Sequence, residues 1–389
     1  MKLLMEYYDE NSLKNIVAIL GTTPDKVVFF YDAKETKHSE VYSTFHTCRK
    51  YIPHLKFEVV TIDCHDYNMI EEKIDRYISD NQGDDIMIDL TGGSELLSIM
   101  GYKASKDKGV EMLYSDILKN SIINLYNNQE KYRTFPFELN DVIEAKNGLI
   151  IGYTSEKYLL KEKEHLYALS LKLLNNVSRW SKTCTYFQKN SVENRANSIY
   201  HFEGRMSNNY PDKELMYEFQ KHQLIKHLTF NNHMIRFEYQ DTKSMDFLAS
   251  YGLWLELFTY YSMMDIKEFH DVKTSIKIDW NRLDATTIIG NEIDVTAMYR
   301  SCPIIISCKL SENATNADAL NELFVVSHRI GEKYAIPVLV THSDVKAKRM
   351  GIYMKAKEMG ILIMDRSDIL SESFAEKLKK GIKRFFMSS

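Results

Sequence analysis

The chain of 389 residues has little cysteine. Its five cysteines, Cys48, Cys64, Cys184, Cys302 and Cys308, are scattered, odd in number and contain no C-x-x-C pair. That argues against a disulfide framework and against a cysteine-rich zinc site. No apolar run is long enough to span a bilayer. Met1 leads straight into a strand-like segment, without the basic stretch and apolar core of a secretory leader. The expected compartment is the cytoplasm, with no membrane contact. Charge of one sign is also missing: the formal net charge is −4. A large, uniformly basic surface is therefore not expected, which leaves room only for a local basic groove. There is no internal repeat and no low-complexity tract. The apolar (44%) and charged (27%) fractions are those of a folded globular chain rather than a disordered one.

What is present is length enough for two cores. Residues 2–5 read as a strand. In 13–20, apolar residues at 13, 16, 17 and 20 mark one face of a helix, with Gly21 as a stop signal. The alternation continues with strand 26–31, helix 36–51, strand 57–62, helix 68–81, strand 86–90, helix 95–106 and strand 110–114. Such alternation predicts a mostly parallel sheet covered on both faces. Residues 1–150 are accordingly assigned to a Rossmann-like α/β domain. Residues 151–235 read as a mainly helical connector, with a Leu- and Lys-rich stretch over 159–180. Residues 236–389 form a second α/β domain: helix 246–264, strands 268–280 and 292–309, helix 316–334, strand 336–341, helix 345–359, strand 361–364 and a basic amphipathic helix 374–386.

Residues 86–94 read IMIDLTGGS, a strand running into Thr91, Gly92, Gly93 and Ser94 with a helix directly after. Paired glycines let backbone approach a ligand closely, and a helix N-terminus offers unpaired N–H groups to a phosphate. In open α/β sheets ligands favour the carboxyl ends of strands, where the loop after the first strand also falls. The plainer reading is a tight turn with Ser94 as an N-cap. The spacing is neither that of a dinucleotide fingerprint nor that of a Walker A loop. The strand–DLTGG[ST]–helix element, together with the Thr23-Pro24-Asp25-Lys26-Val27-Val28 run opening the second strand, resembles CARF domains, the sensors of type III CRISPR systems. That resemblance implies a homodimer binding cyclic oligoadenylate, cyclic tetra-adenylate above all, across its two-fold axis. Thr91, Gly92, Gly93 and Ser94 would then hold ligand phosphate or ribose, and Asp9, Glu10, Asn11 and Ser12 would line the same cleft.

Three features of the second half carry chemistry. Glu256 is the only carboxylate in the apolar stretch 247–261. Buried there unpaired it would cost several kcal/mol, so it requires a cation, a metal or a hydrogen-bond network; a structural ion pair or a partly exposed helix face is the plainer account. In Asn291-Glu292-Ile293-Asp294-Val295, strand alternation sends Glu292 and Asp294 to one face. Two adjacent carboxylates repel unless a cation lies between them, and oxygen ligands suit Mg2+ or Mn2+; the alternative is a solvent-facing strand edge. Pro303-Ile304-Ile305-Ile306-Ser307-Cys308-Lys309 is an apolar strand ending in a lysine that either snorkels to water or orients a water for attack on phosphate. A basic group of Lys346, Lys348, Arg349, Lys377, Lys379, Lys380, Lys383 and Arg384 could meet a nucleic-acid backbone, though an ordinary solvated face accounts for it better.

The ordered set of helix-Glu, strand-Asp, strand x-x-Lys and helix resembles the PD-(D/E)xK nuclease fold, and the W-L-E, N-E-I-D-V and I-S-C-K segments are similar to the nuclease domain joined to CARF sensors in CRISPR ancillary nucleases. The resemblance implies that Asp294 is the central metal ligand, that Glu256 helps hold the metal, that the Cys308 backbone carbonyl is a further ligand and that Lys309 activates the attacking water. The chain departs from the pattern at Ser307, where an acidic residue is usual, and Glu292 is the candidate to replace it. One condition is geometric: Asp294 must share a sheet face with Lys309, and a register shift of one would part them. The leading expectation is a cyclic-oligoadenylate-activated, metal-dependent endonuclease cutting single-stranded RNA or DNA, or nicking supercoiled DNA. The runner-up is a CARF-type nucleic-acid-binding regulator, for which Glu256, Asp294 and Lys309 would be scattered. Self-degradation of the ligand is a third reading, but no histidine adjoins the Gly-Gly turn to act as a base.

Overall fold

The run Val27, Val28, Phe29, Phe30 has no polar interruption, and all four side chains are buried, as expected of a strand covered on both faces. The structure is a computed structural model that describes residues 1–133, 136–154, 156–194, 200–281 and 290–386. Seven strands form the N-terminal sheet: β1 (Lys2–Tyr7), β2 (Lys26–Asp32), β3 (Lys56–Ile62), β4 (Asp85–Asp89), β5 (Glu111–Asp116), β6 (Ser121–Asn124) and β7 (Gln129–Arg133). Their spatial order is β3-β2-β1-β4-β5-β6-β7. The first five neighbours run parallel and the last two turn antiparallel. Helices Ser12–Thr22, His38–Arg49 and Leu139–Ala145 pack on one face, and Tyr67–Asp80 and Glu95–Ser105 on the other. The strand order reverses between β1 and β4. The loops leaving their carboxyl ends therefore part, and the crevice between them is where an open α/β sheet takes a ligand.

The connector, expected to be mainly helical, contains strands as well as helices. β8 (Leu149–Gly152) pairs antiparallel with a strand of the C-terminal sheet. Helices Glu156–Lys161, Lys163–Leu174 and Val177–Asn194 follow. Then β9 (His201–Arg205), helix Lys213–Lys221, β10 (Ile225–Asn231) and β11 (Met234–Tyr239) build a small antiparallel sheet in the order β10-β11-β9. Its strands bury one face only: Phe202 and Phe237 stack at 4.7 Å and pack edge-on against Phe187 of the preceding helix.

The C-terminal sheet contains β12 (Phe269–Asp279), β13 (Gly290–Tyr299), β14 (Cys302–Lys309), β15 (Ile336–Thr341) and β16 (Leu362–Met364), in the order β16-β15-β14-β13-β12-β8. β12, β13 and β14 are antiparallel, whereas β14, β15 and β16 are parallel. The expected helix over 246–264 is in fact two, Thr242–Ala249 and Leu253–Met264, broken at 250–252 where Gly252 precedes the second. The helix expected over 345–359 is likewise divided, into Val345–Lys348 and Met350–Glu358. Helix Ala317–Gly331 covers β14 and β15. The two α/β halves interlock: Asn11 Nδ2 donates to the Gly331 carbonyl (3.2 Å), Arg300 Nη1 to the Leu118 carbonyl (3.0 Å), and Leu139 N to Asp271 Oδ2 (2.8 Å). Among the described residues no helix is long and apolar enough to cross a membrane.

Candidate functional site

Two sites take shape, one at the carboxyl ends of β1 and β4 and one at the end of β14. At the first, both glycines are structurally required. A Cβ on Gly92 would lie 2.5 Å from the Tyr7 carbonyl oxygen, and Gly93 holds φ +71° with Leu97 Cδ1 only 2.6 Å from where its Cβ would be. Ser94 caps helix Glu95–Ser105 through the Leu97 N–H. Asp9 ties the two loops together. Its Oδ2 accepts from Gly93 N (2.9 Å) and pairs with Lys14 Nζ (2.6 Å), and its Oδ1 accepts from Asn11 N (2.9 Å). Above this junction opens a cavity of about 510 Å³, bordered by Tyr8, Asp9, Glu10, Gly93, Ser94 and Glu332, with Asp32, Glu35 and Cys64 across from them.

Beneath the floor of that cavity Glu6 and Asp89 face each other across β1 and β4. Both are buried, and Glu6 Oε1 and Asp89 Oδ2 have no hydrogen-bond partner. Burial raises the Glu6 carboxyl well above its ordinary value, with the charge of Asp89 adding to the effect and the Asn15 amide opposing it. Burial likewise pushes Asp89 up to about 7, against the hydrogen bonds from Thr91 and Ser115. Among the described residues, the one metal-type triad with ligand atoms within 4.8 Å of one another is Asp32, Glu35 and Cys64 on the cavity wall. Asp32 already accepts from the Cys64 and Lys34 backbone N–H groups (2.9 and 2.8 Å), and burial pushes the Cys64 thiol up to about 11.

At the second site the register satisfies the geometric condition set by the sequence. Val295 pairs with Ile306, so alternation puts Asp294, Ser307 and Lys309 on one face. All three line a cavity of about 190 Å³, with Glu292 at the strand side and Glu322, Leu323 and Val326 contributed by helix Ala317–Gly331. Asp294 Oδ2 accepts from Cys308 N (2.6 Å) and Ser307 Oγ (3.4 Å). Cys308 turns the other way, its Sγ lying 3.7 Å from Thr259 Oγ1 on helix Leu253–Met264. Glu256, one turn earlier on that helix, comes within electrostatic reach of Asp294, Glu292 and Lys309. Burial first, then the charges of Asp294 and Glu292, push its carboxyl up to about 8, with Lys309 opposing. Burial also raises Asp294, against the Cys308 N–H and the Lys309 charge.

Comparison with known proteins gives this pair of sites a family. The model of the Card1 CARF domain matches residues 9–144, and that of the Card1-like endonuclease domain matches residues 242–380. The N-terminal domain is a Card1-type CARF domain and the C-terminal domain a Card1-like endonuclease domain. Similar folds run through several solved structures. Can2 from Sulfobacillus thermosulfidooxidans, solved with cyclic tetra-adenylate, aligns over 98% of this chain and 97% of its own, with TM-score 0.71 and 12% identity. Protein VC1899 from Vibrio cholerae aligns over 99% and 98%, with TM-score 0.78 and 13% identity. A type III CRISPR defence DNA nuclease activated by cyclic oligoadenylate aligns over 87% of this chain and 45% of its own, with TM-score 0.52 and 12% identity. At these identities the likeness is one of fold. No curated protein sequence matches the chain.

The CARF domain distributes its expected ligand residues unevenly. Asp9, Glu10, Gly93 and Ser94 reach the cavity. Thr91 turns inward, donating to Asp89 Oδ1 (2.8 Å) and accepting from Ser115 N (2.6 Å). Gly92 is buried behind Tyr7. Asn11 and Ser12 do not line the cavity: both are wholly buried, Asn11 against Gly331 of the endonuclease domain. The loop was expected to face a cleft, but the second domain covers that part of it. In the endonuclease domain Asp294 and Lys309 line the cavity and Glu256 lies within their electrostatic reach without lining it, whereas Glu292 sits at the rim, 59% exposed and 3.9 Å from Lys277. The basic surface is largely ion-paired: Lys379 and Lys383 meet Glu268, Lys346 and Lys377 meet Asp368, and Lys348 meets Asp344. Sequence reasoning missed Glu322 and Glu332, which enter the two cavities from opposite ends of one helical segment.

Proposed function

We propose that the protein is an endonuclease of type III CRISPR defence, active with Mg2+ or Mn2+ and switched on by cyclic oligoadenylate bound at a CARF homodimer. Its substrate is single-stranded RNA or DNA, or supercoiled DNA that it nicks. The observation that carries this reading is that Asp294 and Lys309 line one cavity while Glu256, from a separate helix, lies within electrostatic reach of both. Two half-buried carboxylates held above their ordinary range by desolvation and by their neighbours' charge form a place where a divalent cation is favourable. The donors are oxygens, which fits the hard cations. Asp294 and Glu256 would hold the metal, with Glu292 able to reach in from the rim. The N–H and C=O of one strand residue point to the same side, so the Cys308 carbonyl heads toward Asp294 as its N–H does. A metal there would lower the pKa of a bound water and neutralise phosphate charge.

The chain's own residues do the rest. The Cys308 N–H fixes the Asp294 carboxylate. Lys309 brings a positive charge to the same cavity, where it stabilises the negative charge that builds on a phosphate under attack. Ser307 adds a hydrogen bond to Asp294 but no charge. In the CARF domain the exposed start of helix Glu95–Ser105 favours an anion. Activation follows only if the ligand binds one arrangement of the paired endonuclease domains better than the other. A regulator without nuclease activity has no need of the gathered Glu256, Asp294 and Lys309. The test incubates the full chain with Mn2+ and labelled single-stranded RNA, single-stranded DNA and supercoiled plasmid, with and without cyclic tetra-adenylate, beside Asp294→Ala. Cleavage that needs both the ligand and Asp294 is expected. Equal cutting of relaxed duplex without ligand overturns the activation; tight ligand binding without any cleavage selects the regulator.

A further inference from the structure

Glu332 belongs to the endonuclease half of the chain but borders the CARF cavity beside Tyr8, Asp9 and Glu10. It sits where the chain is held hard against the other domain. The Gly331 carbonyl accepts from Asn11 Nδ2 (3.2 Å), and a Cβ on Gly331 would meet both Leu13 Cδ1 and Pro303 Cγ at 3.1 Å. The Glu332 backbone has φ 49° and ψ −129°, a region that residues with a Cβ avoid and glycine tolerates. Strain of this kind costs on the order of 1–3 kcal/mol, persists where the surrounding structure imposes it, and clusters at active sites and ligand clamps. The cavity wall around it is acidic, with Asp9 and Glu10 alongside and Asp32 and Glu35 opposite. Such a wall suits hydrogen-bond donors and repels phosphate. Lys146, half-buried among Asp9, Glu10 and Glu332, has no ion-pair partner among the described residues.

We propose that Glu332 is the endonuclease domain's own contact with the activating ligand: its carboxylate accepts a hydrogen bond from a nucleoside donor, the exocyclic amine of an adenine or a ribose hydroxyl, so that one ligand is gripped by both domains. This rests on the sensor–nuclease reading above. Its consequence runs along one helix. Helix Ala317–Gly331 ends at Glu332, and its Glu322, Leu323 and Val326 wall the endonuclease cavity. From Glu322 to Gly331 is about 14 Å of helix. A ligand that pulls on Glu332 thereby acts on the wall of the site where Asp294 and Lys309 stand.

The test uses the full chain, with cyclic tetra-adenylate affinity read by calorimetry and Tm read without ligand. Glu332→Gly is the informative variant, because its backbone suits the observed φ and ψ and folding is not at risk. Its Tm is expected to equal or exceed that of the wild type. Its affinity should fall about 10- to 100-fold, the usual effect of losing a hydrogen bond to a charged group, and the ligand concentration for half-maximal cleavage should rise in step. Glu332→Gln keeps an acceptor oxygen and should fall in between. Cyclic tetra-inosinate, which lacks the amine, separates the two donors: if wild type binds it as weakly as Glu332→Gly binds the adenylate, the amine is the partner; if wild type binds both rings alike and Glu332→Gly weakens both, the hydroxyl is. Unchanged adenylate affinity in Glu332→Gly overturns this inference and leaves the sensor reading intact, as does a loss of affinity that comes only with a lowered Tm. A wild type that binds no cyclic oligoadenylate overturns the sensor reading itself.

Discussion

The chain withdraws two pairs of carboxylates from water, one wholly and one in part, and they behave differently. Glu6 and Asp89 in the CARF domain and Glu256 and Asp294 in the endonuclease domain all have their carboxyls raised, with burial the leading cause in every case. The CARF pair is sealed: Glu6 is 1% and Asp89 0% exposed, each with an oxygen that finds no partner. The endonuclease pair differs in what stands beside it, for Asp294 opens on a cavity and Lys309 offsets the charge of both. A sealed pair can relieve its repulsion only by keeping a proton. An open one can take a cation. A raised carboxyl therefore marks burial in both domains, and access, rather than the shift, separates a structural pair from a chemical one.

The sharpest way to break this comparison is to remove the offsetting charge. Lys309→Met should lower kcat by about 100- to 1,000-fold with folding intact, checked by single-turnover cleavage and Tm; retention of full activity would make Lys309 a snorkelling strand end. Glu256→Gln sharpens it through pH. A metal displaces the proton from this carboxyl, so wild-type Mn2+ affinity should climb as pH rises toward about 8 and flatten above it. The Gln variant should lose that slope, as measured by calorimetric titration across the range.

The sealed pair makes the opposite kind of prediction, about stability. Carboxyls raised in the folded state contribute stability fully present below their unfolded value, about 4, and lose it as pH rises through the folded value, about 7 for Asp89. Wild-type Tm should therefore fall across that window. In Glu6→Gln the amide can donate to the unpartnered Asp89 Oδ2 while its oxygen still accepts from Asn15. This variant should be more stable than wild type at pH 8, by about 1–2 kcal/mol, with the gain shrinking at pH 5. A gain that is the same at both values would mean that the pair does not hold a proton. The smallest effect belongs to Glu292→Gln. As an exposed rim residue paired with Lys277, it should change cleavage by less than about tenfold.

What the sequence disclosed follows the strength of its periodicities. The buried strands β1, β2 and β4 and the helices between them stood out because a parallel sheet demands unbroken apolar runs. The register joining Asp294 to Lys309 stood in the sequence only as a condition, which the pairing of Val295 with Ile306 meets. The small sheet of β9, β10 and β11 escaped notice because its strands bury one face only and carry His201, Lys226 and His227 among their apolar residues. Long-range contacts were the other blind spot. Nothing near Asn11 in the sequence shows that Gly331 covers it, and nothing near Glu332 shows that it borders a cavity built by residues 8–97. Ser307 stood out as a missing carboxylate; that Glu322 faces it from a helix could be seen only once the chain was folded.

β8 adds a matter of timing. It leaves the CARF domain at residue 149 and takes its place at the edge of the endonuclease sheet against β12, whose paired residues are 277–279. All that lies between, six helices and a separate three-stranded sheet among the described residues, is in effect an insertion between two neighbouring strands. On the ribosome the CARF sheet is complete while β8 is still an unpaired strand, and it waits for more than a hundred residues of synthesis before a partner exists. The nascent chain thus carries an exposed, apolar Leu-Ile-Ile edge through the whole interval, and a fragment that starts after β8 leaves the matching edge of β12 uncovered.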